Sequence, residues 1–231
     1  MKRNIYAGLR TAVADGRDGL SEVYKLRHDA YLNEGAIKPK PDGIFIDRYD
    51  LARTSVILGV YEDGTGLVGS IRLGIQPPCS QGIADFVSAP EFVVFPDELQ
   101  SLLVDNRPIA SGARFSIAAG HPRRSAIALL LVLGQVIGAE AAGAKWGIAT
   151  ARGSHLHFYK RLLLMDEICP PRRMPGLEYD YALLASDLDI NFVESLYRFP
   201  DACRDHLTAT SGDLGDHVRQ ALHTLPLEVA A

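Results

Sequence analysis

Arg107 to Thr150, with an apolar strand ending in Ala110-Ser111-Gly112-Ala113-Arg114-Phe115-Ser116-Ile117-Ala118, then His121-Pro122-Arg123-Arg124-Ser125-Ala126 and a long apolar run, is the stretch that decides the fold. It predicts a strand that ends at a small-residue turn opening a helix. Such a junction leaves several backbone N–H groups unpaired at one point, where a phosphate or a polarised carbonyl oxygen can sit. The helix is expected from about Ser125 to Ala142, closed by Gly143 as a left-handed C-terminal residue. It is apolar almost all round, so it needs cover on most sides, as in a layered α/β domain. Lys145 to Ala151 reads as a second strand parallel to the first, which completes a β-α-β unit.

Working upstream, Ser55–Glu62 and Leu67–Ile75 are two β-rich runs around Asp63-Gly64-Thr65-Gly66 and predict a hairpin. Residues 4–12 suit a short first strand. Asp18 is expected to cap a helix in which Leu20, Val23, Tyr24, Arg27 and Tyr31 share one face and which ends near Asn33-Glu34-Gly35. Arg27 on that apolar stripe is either a snorkelling side chain or a functional one. Lys38-Pro39-Lys40-Pro41-Asp42-Gly43 must be a loop. It leads to Asp47 and Asp50, a carboxylate pair suited to a cation, to an arginine from another element, or to a solvated turn. Residues 77–106, with four prolines and scattered aromatics, read as an insert with one or two helical turns that walls a pocket.

Downstream, Ser154 is expected to cap a short helix over 155–162. Leu163–Ile168 and Tyr179–Leu184 are expected as two last strands separated by 169–176. The chain therefore divides into an α/β domain over 1–188, with the 77–106 insert, and a helical extension over 189–231. The 231 residues carry a formal charge of −4 with 23% charged and 47% hydrophobic side chains, which suits a buried core and argues against a general nucleic-acid binder. Cys79, Cys169 and Cys203 show no disulfide or zinc spacing, so no metal is expected and a cytoplasmic location is the default. The start lacks the apolar core of a signal peptide, and the longest uncharged run, residues 126–139, is shorter than the ~20 residues a bilayer span needs.

The order of elements resembles that of the GNAT acyltransferase fold, which implies a mixed, twisted central sheet with helices on both faces and a V-shaped cleft between two parallel strands. Residues 24–35 (Tyr24 to Gly35), Asp47-Arg48-Tyr49-Asp50, Gly69-Ser70-Ile71-Arg72-Leu73 and Ala113-Arg114-Phe115 resemble the FeeM-type N-acyl amino acid synthases and, more distantly, the LuxI-type acyl-homoserine-lactone synthases. The resemblance covers about residues 20–160. It implies an enzyme that moves a long acyl chain from acyl carrier protein, or from acyl-CoA, to the amine of an amino acid or related small molecule, with no tightly bound cofactor. It also implies that Arg27, Tyr31, Asp47, Asp50, Arg72 and Arg114 form a conserved set around the cleft, partly architectural. Arg123, Arg124, Ser125, Ala126 and Ala128 match, as Arg-x-x-Ala-x-Ala, a degenerate form of the loop that holds the donor's pyrophosphate or phosphopantetheine. Where lactone synthases carry glutamates, this chain has Ser111 and Phe45, which counts against lactone formation.

Attack of an amine on a thioester needs donors for the developing oxyanion and an acid for the departing thiolate. The expected oxyanion donors are backbone amides of Ser116, Ile117 or Ala118. Tyr159 matches the position from which GNAT enzymes aim a hydroxyl at the sulfur, and its alternative is a packed core tyrosine. His121 is a possible base or an ordinary loop residue. Arg123, Arg124, Lys145, Arg152, Lys160, Arg161, Arg172 and Arg173 are expected to form a basic patch for an acidic carrier protein. Phe86, Phe92, Phe95, Leu102, Leu103 and the strands around Trp146 are expected to line the acyl slot. An acetyl-CoA-dependent acetyltransferase and a non-catalytic acyl-binding protein remain the rival readings.

Overall fold

The computed structural model describes residues 4–78, 88–103, 106–210 and 214–223. The chain begins its regular structure at β1 (Leu9–Val13), shorter than the strand expected over 4–12, because 5–8 form a turn with Gly8 at φ +70°. Helix α1 spans Gly16–Asn33. Asp15, not Asp18, occupies its N-cap, and Asp18 instead lies in the first turn, where a carboxylate complements the helix dipole. Its stripe is inward as read, with Val23, Tyr24 and Arg27 buried.

The expected hairpin is β2 (Ser55–Glu62) and β3 (Gly66–Gln76), antiparallel to each other. Within the insert, the short helices α2 (Glu91–Val94) and α3 (Pro96–Gln100) precede β4 (Ile109–Ile117). Then come α4 (Arg124–Ala141), β5 (Trp146–Ala151), α5 (Leu156–Leu163), β6 (Asp166–Arg173) and β7 (Asp180–Asp187). Helices α6 (Leu188–Arg198), α7 (Asp201–Thr210) and α8 (Leu214–His223) close the described chain. The seven strands form one mixed sheet in the order β1-β2-β3-β4-β5-β7-β6, parallel only between β4 and β5.

Two details depart from expectation. Ser154 makes no cap: a 3-10 turn over Gly153–His155 precedes α5, and His155 holds the N-cap position. β6 runs through Pro170 and Pro171, which had been placed in a connecting loop. It pairs only with β7, at the sheet edge, and the register shifts between Cys169 and Arg172, so the two missing N–H donors break no ladder.

Alternation along β5 separates two cores. Ala149 and Ala151 join the larger cluster with α4, whereas Ile148 joins a second cluster with Phe92, Phe95 and Leu183 on the opposite face. By length and composition α4 is apolar enough to cross a membrane, yet it is mostly buried. The sheet covers one side of it, and α7 and α8 contribute Cys203, Leu207 and Leu214 to the same core.

Candidate active site

The cleft arises where the two parallel strands part. β4 and β5 pair at Ile109↔Trp146, Ala110↔Gly147, Ser111↔Ile148 and Gly112↔Ala149, and no further, although the strands continue to Ile117 and Ala151. The divergence begins beside a β-bulge: between Ser70 and Arg72 the register of β3 on β4 shifts, and Arg114 adopts φ +57°. A bulge bends its strand and re-aims a side chain. Here it turns Arg114 towards Asp47.

A cavity of about 470 Å³ occupies the notch, a size ordinary for a small-molecule site. It reaches both sheet faces. Leu129, Phe158 and Tyr159 line it from the side of the larger core, and Met174, Leu177 and Tyr181 from the side of the second core. Tyr31, Glu91, Arg114 and Thr150 supply polar groups, while Glu34, Arg124, Ser125 and Arg152 also face it.

The six residues assigned by resemblance to the cleft are brought together. Asp47 accepts from Arg114 through Nε at 2.8 Å and Nη2 at 2.6 Å, and from Arg72 Nη1 at 2.7 Å. Asp50 accepts from Arg27 at 2.7 Å and from Arg72 at 3.1 Å. The two aspartates also cap each other: Asp50 accepts the Asp47 N–H at 3.0 Å, and Asp47 accepts the Tyr49 N–H at 2.9 Å. Tyr31 reaches Arg114 and packs on Phe45, with ring centroids 5.2 Å apart. Burial pushes the Asp47 carboxyl up, but Arg114 and Arg72 outweigh it and hold the group below its ordinary range. Three guanidinium groups on two carboxylates leave one positive charge in excess. Of the three arginines, Arg114 alone lines the cavity; Arg27 and Arg72 are fully buried and anchor α1, the 47–50 turn and β3 to one another.

Of the three backbone amides expected as oxyanion donors, only one faces the notch. The Ala118 N–H donates to the Val68 carbonyl at 2.9 Å and is not available. In an antiparallel ladder N–H groups alternate in direction, so Ser116 points its N–H at β3 as Ala118 does, leaving Ile117 facing the notch. The Ser116 hydroxyl pairs with that of Ser70 at 2.9 Å.

The loop expected to hold the donor divides likewise. Arg124, Ser125 and Ala128 line the cavity at the start of α4, but Ala126 is packed in the core, and Arg123 is tied to Glu62 and to the Ala7 carbonyl, away from the cavity. His121 also binds Glu62, at 3.0 Å, and does not line the cavity. Tyr159 does line it. Burial pushes its hydroxyl well above the ordinary phenol range, so it stays protonated and serves better as a hydrogen-bond donor than as a source of a free proton.

The expected basic patch is mostly neutralised. Lys145 binds Asp187 and Asp189, Lys160 binds Glu167, Arg172 binds Glu98 and Arg173 binds Asp180, while Arg124 and Arg152 share Glu34 at the cavity mouth. Arg161 alone of the eight has no ion pair among the described residues. Phe92, Phe95 and Leu103 are not in the cavity wall; they are buried in the second core, with Leu102 against them, and Phe86 lies outside the described residues. Several cavity residues escaped the sequence reading, Glu91 among them. Glu91 is 1% exposed, accepts from Thr150 Oγ1 at 3.2 Å, and its Oε2 has no partner among the described residues. A charge between Pro90 and Phe92 was the only sign of it.

A family model described as N-acyl amino acid synthase FeeM matches residues 22–187. The chain belongs to the FeeM N-acyl amino acid synthase family. It is therefore an N-acyltransferase. The structure of FeeM, an N-acyl amino acid synthase from uncultured soil microbes, superposes with a TM-score of 0.65 at 12% identity, covering 82% of this chain and 97% of that one. The acyl-homoserine lactone synthase LasI gives 0.58 at 16% identity, over 82% and 94% of the two chains. BjaI, a CoA-dependent acyl-homoserine lactone synthase, gives 0.53 at 20% identity, over 93% and 98%. At these identities the likeness is one of fold, which FeeM shares with the lactone synthases. A comparison with curated proteins finds no significant match.

Proposed function

We propose that this protein transfers a long-chain acyl group from a phosphopantetheine thioester, carried on acyl carrier protein or CoA, to the amine of an amino acid. The observation that carries the reading is the notch between β4 and β5, with its lining apolar on both sheet faces and polar between. The donor arm enters past the start of α4, where Arg124, Ser125 and the helix N-terminus suit a phosphate. Its thioester carbonyl lies against the Ile117 N–H, which faces no strand and supports the developing oxyanion. The Tyr159 hydroxyl donates a hydrogen bond to the departing sulfur. The acyl chain runs towards Met174, Leu177 and Tyr181. Arg114, pinned by Asp47, and Tyr31 border the acceptor side.

Purified protein would be given long-chain acyl carrier protein, long-chain acyl-CoA or acetyl-CoA, each with the twenty common amino acids, and the products weighed by mass spectrometry. The expected product is a long-chain N-acyl amino acid. Transfer of acetyl groups alone, or no thioester turnover with any donor, would overturn the reading.

A further inference from the structure

We propose that Glu91 receives the acceptor's ammonium group and takes its proton, an inference that rests on the acyltransferase reading above. The reason is the cost of its position. A carboxylate so enclosed normally has both oxygens hydrogen-bonded, because an unpaired buried charge is expensive. Glu91 has one bond, from the Thr150 hydroxyl, and its second oxygen finds no donor among the described residues. The side chain lines the cavity beside Thr150 and Arg114, at the point where β4 and β5 separate. Arg114 feels the Glu91 charge, but its nearest acidic partner is Asp47, which both its Nε and its Nη2 engage. The free oxygen of Glu91 thus lacks a cation, and an amino acid arriving at neutral pH brings one.

The chemistry closes. The acceptor enters as an ammonium ion, and the Glu91 carboxylate takes one of its protons. The neutral amine attacks the thioester carbon, the C–N bond forms as the C–S bond breaks, and the second proton leaving nitrogen ends on the thiolate to give the free thiol. Glu91 then returns its proton to water. No oxidant, reductant or metal enters the balance.

E91Q keeps the shape of the side chain and the bond from Thr150, so the fold should hold, checked by its melting curve against the unmodified enzyme. With dodecanoyl-CoA as donor, we expect E91Q to acylate amino acids about 10²–10⁴-fold more slowly. Acylation of hydroxylamine, whose nitrogen is already unprotonated at neutral pH, should be unchanged. E91D, which keeps the charge at shorter reach, should recover part of the lost rate. Equal loss with both acceptors would make Glu91 a packing residue and overturn the proposal, as would amino acid acylation by E91Q at the unmodified rate. An unmodified enzyme that acylates hydroxylamine but none of the amino acids would overturn both this inference and the reading beneath it.

Discussion

At Asp50 one carboxylate oxygen serves two guanidinium groups, 2.7 Å from Arg27 and 3.1 Å from Arg72, in a place where neither partner meets water. Removing one member of a buried pair is far costlier than the pair's net contribution, because the remaining charges stay enclosed without compensation. D50N should therefore lose about 3–5 kcal/mol of stability, read from urea unfolding, and should release α1 from β3. A different carboxylate contributes to the acid response. Bonds from His121 and Arg123 hold the Glu62 carboxyl at about 2, against 4.5 for an unperturbed group. A depressed folded value stabilises the protein above the unfolded one and loses that contribution as pH falls towards the folded value. The urea midpoint should drop between pH 4.5 and about 2, and E62Q should flatten that part of the profile. Arg27 shows how far single residues are legible. Its place on an apolar stripe marked it as unusual, but only the fold brings Asp50, from the loop after α1, to meet it. Glu91 carried no such mark, because a one-turn helix among prolines has no periodicity to violate.

Elements with a strong repeat were readable, and those governed by their neighbours were not. The β2–β3 hairpin and α4 lie close to where their patterns put them, since alternation and an apolar run ended by glycine are local signals. β6 was cut short because its prolines argue against a strand, and an edge position, which excuses them, is a property of the whole sheet. The start of α5 was misplaced for a related reason: a serine can cap, but a 3-10 turn took its residues first. The seat of α4 on β3 is a sharper example of tertiary control. A Cβ at Gly69 would lie 2.5 Å from Ile127 Cγ2 and 3.2 Å from Leu131 Cδ1, both on buried, well-packed side chains. G69A should cost about 1–3 kcal/mol through overpacking, seen as a lower urea midpoint with unchanged slope.

Over the whole molecule, α7 and α8 belong to the core that the catalytic half depends on. Leu207 is fully buried in the cluster that also holds Leu131 and Ile127 of α4. L207A should remove about 2–5 kcal/mol of stability while leaving kcat unchanged below the unfolding transition, which paired melting and rate measurements would check. The sheet itself is two wings, four strands and three, meeting along a single short seam of four residue pairs. Above that seam the facing edges offer main-chain hydrogens and oxygens to whatever slides between them. A linker with amide groups of its own would fit there as a missing rung, whichever cargo it bears. On the acyl transfer proposed above, such a crevice would read the arm and not what it hangs from, so that choosing between carriers would fall to the ground outside its mouth.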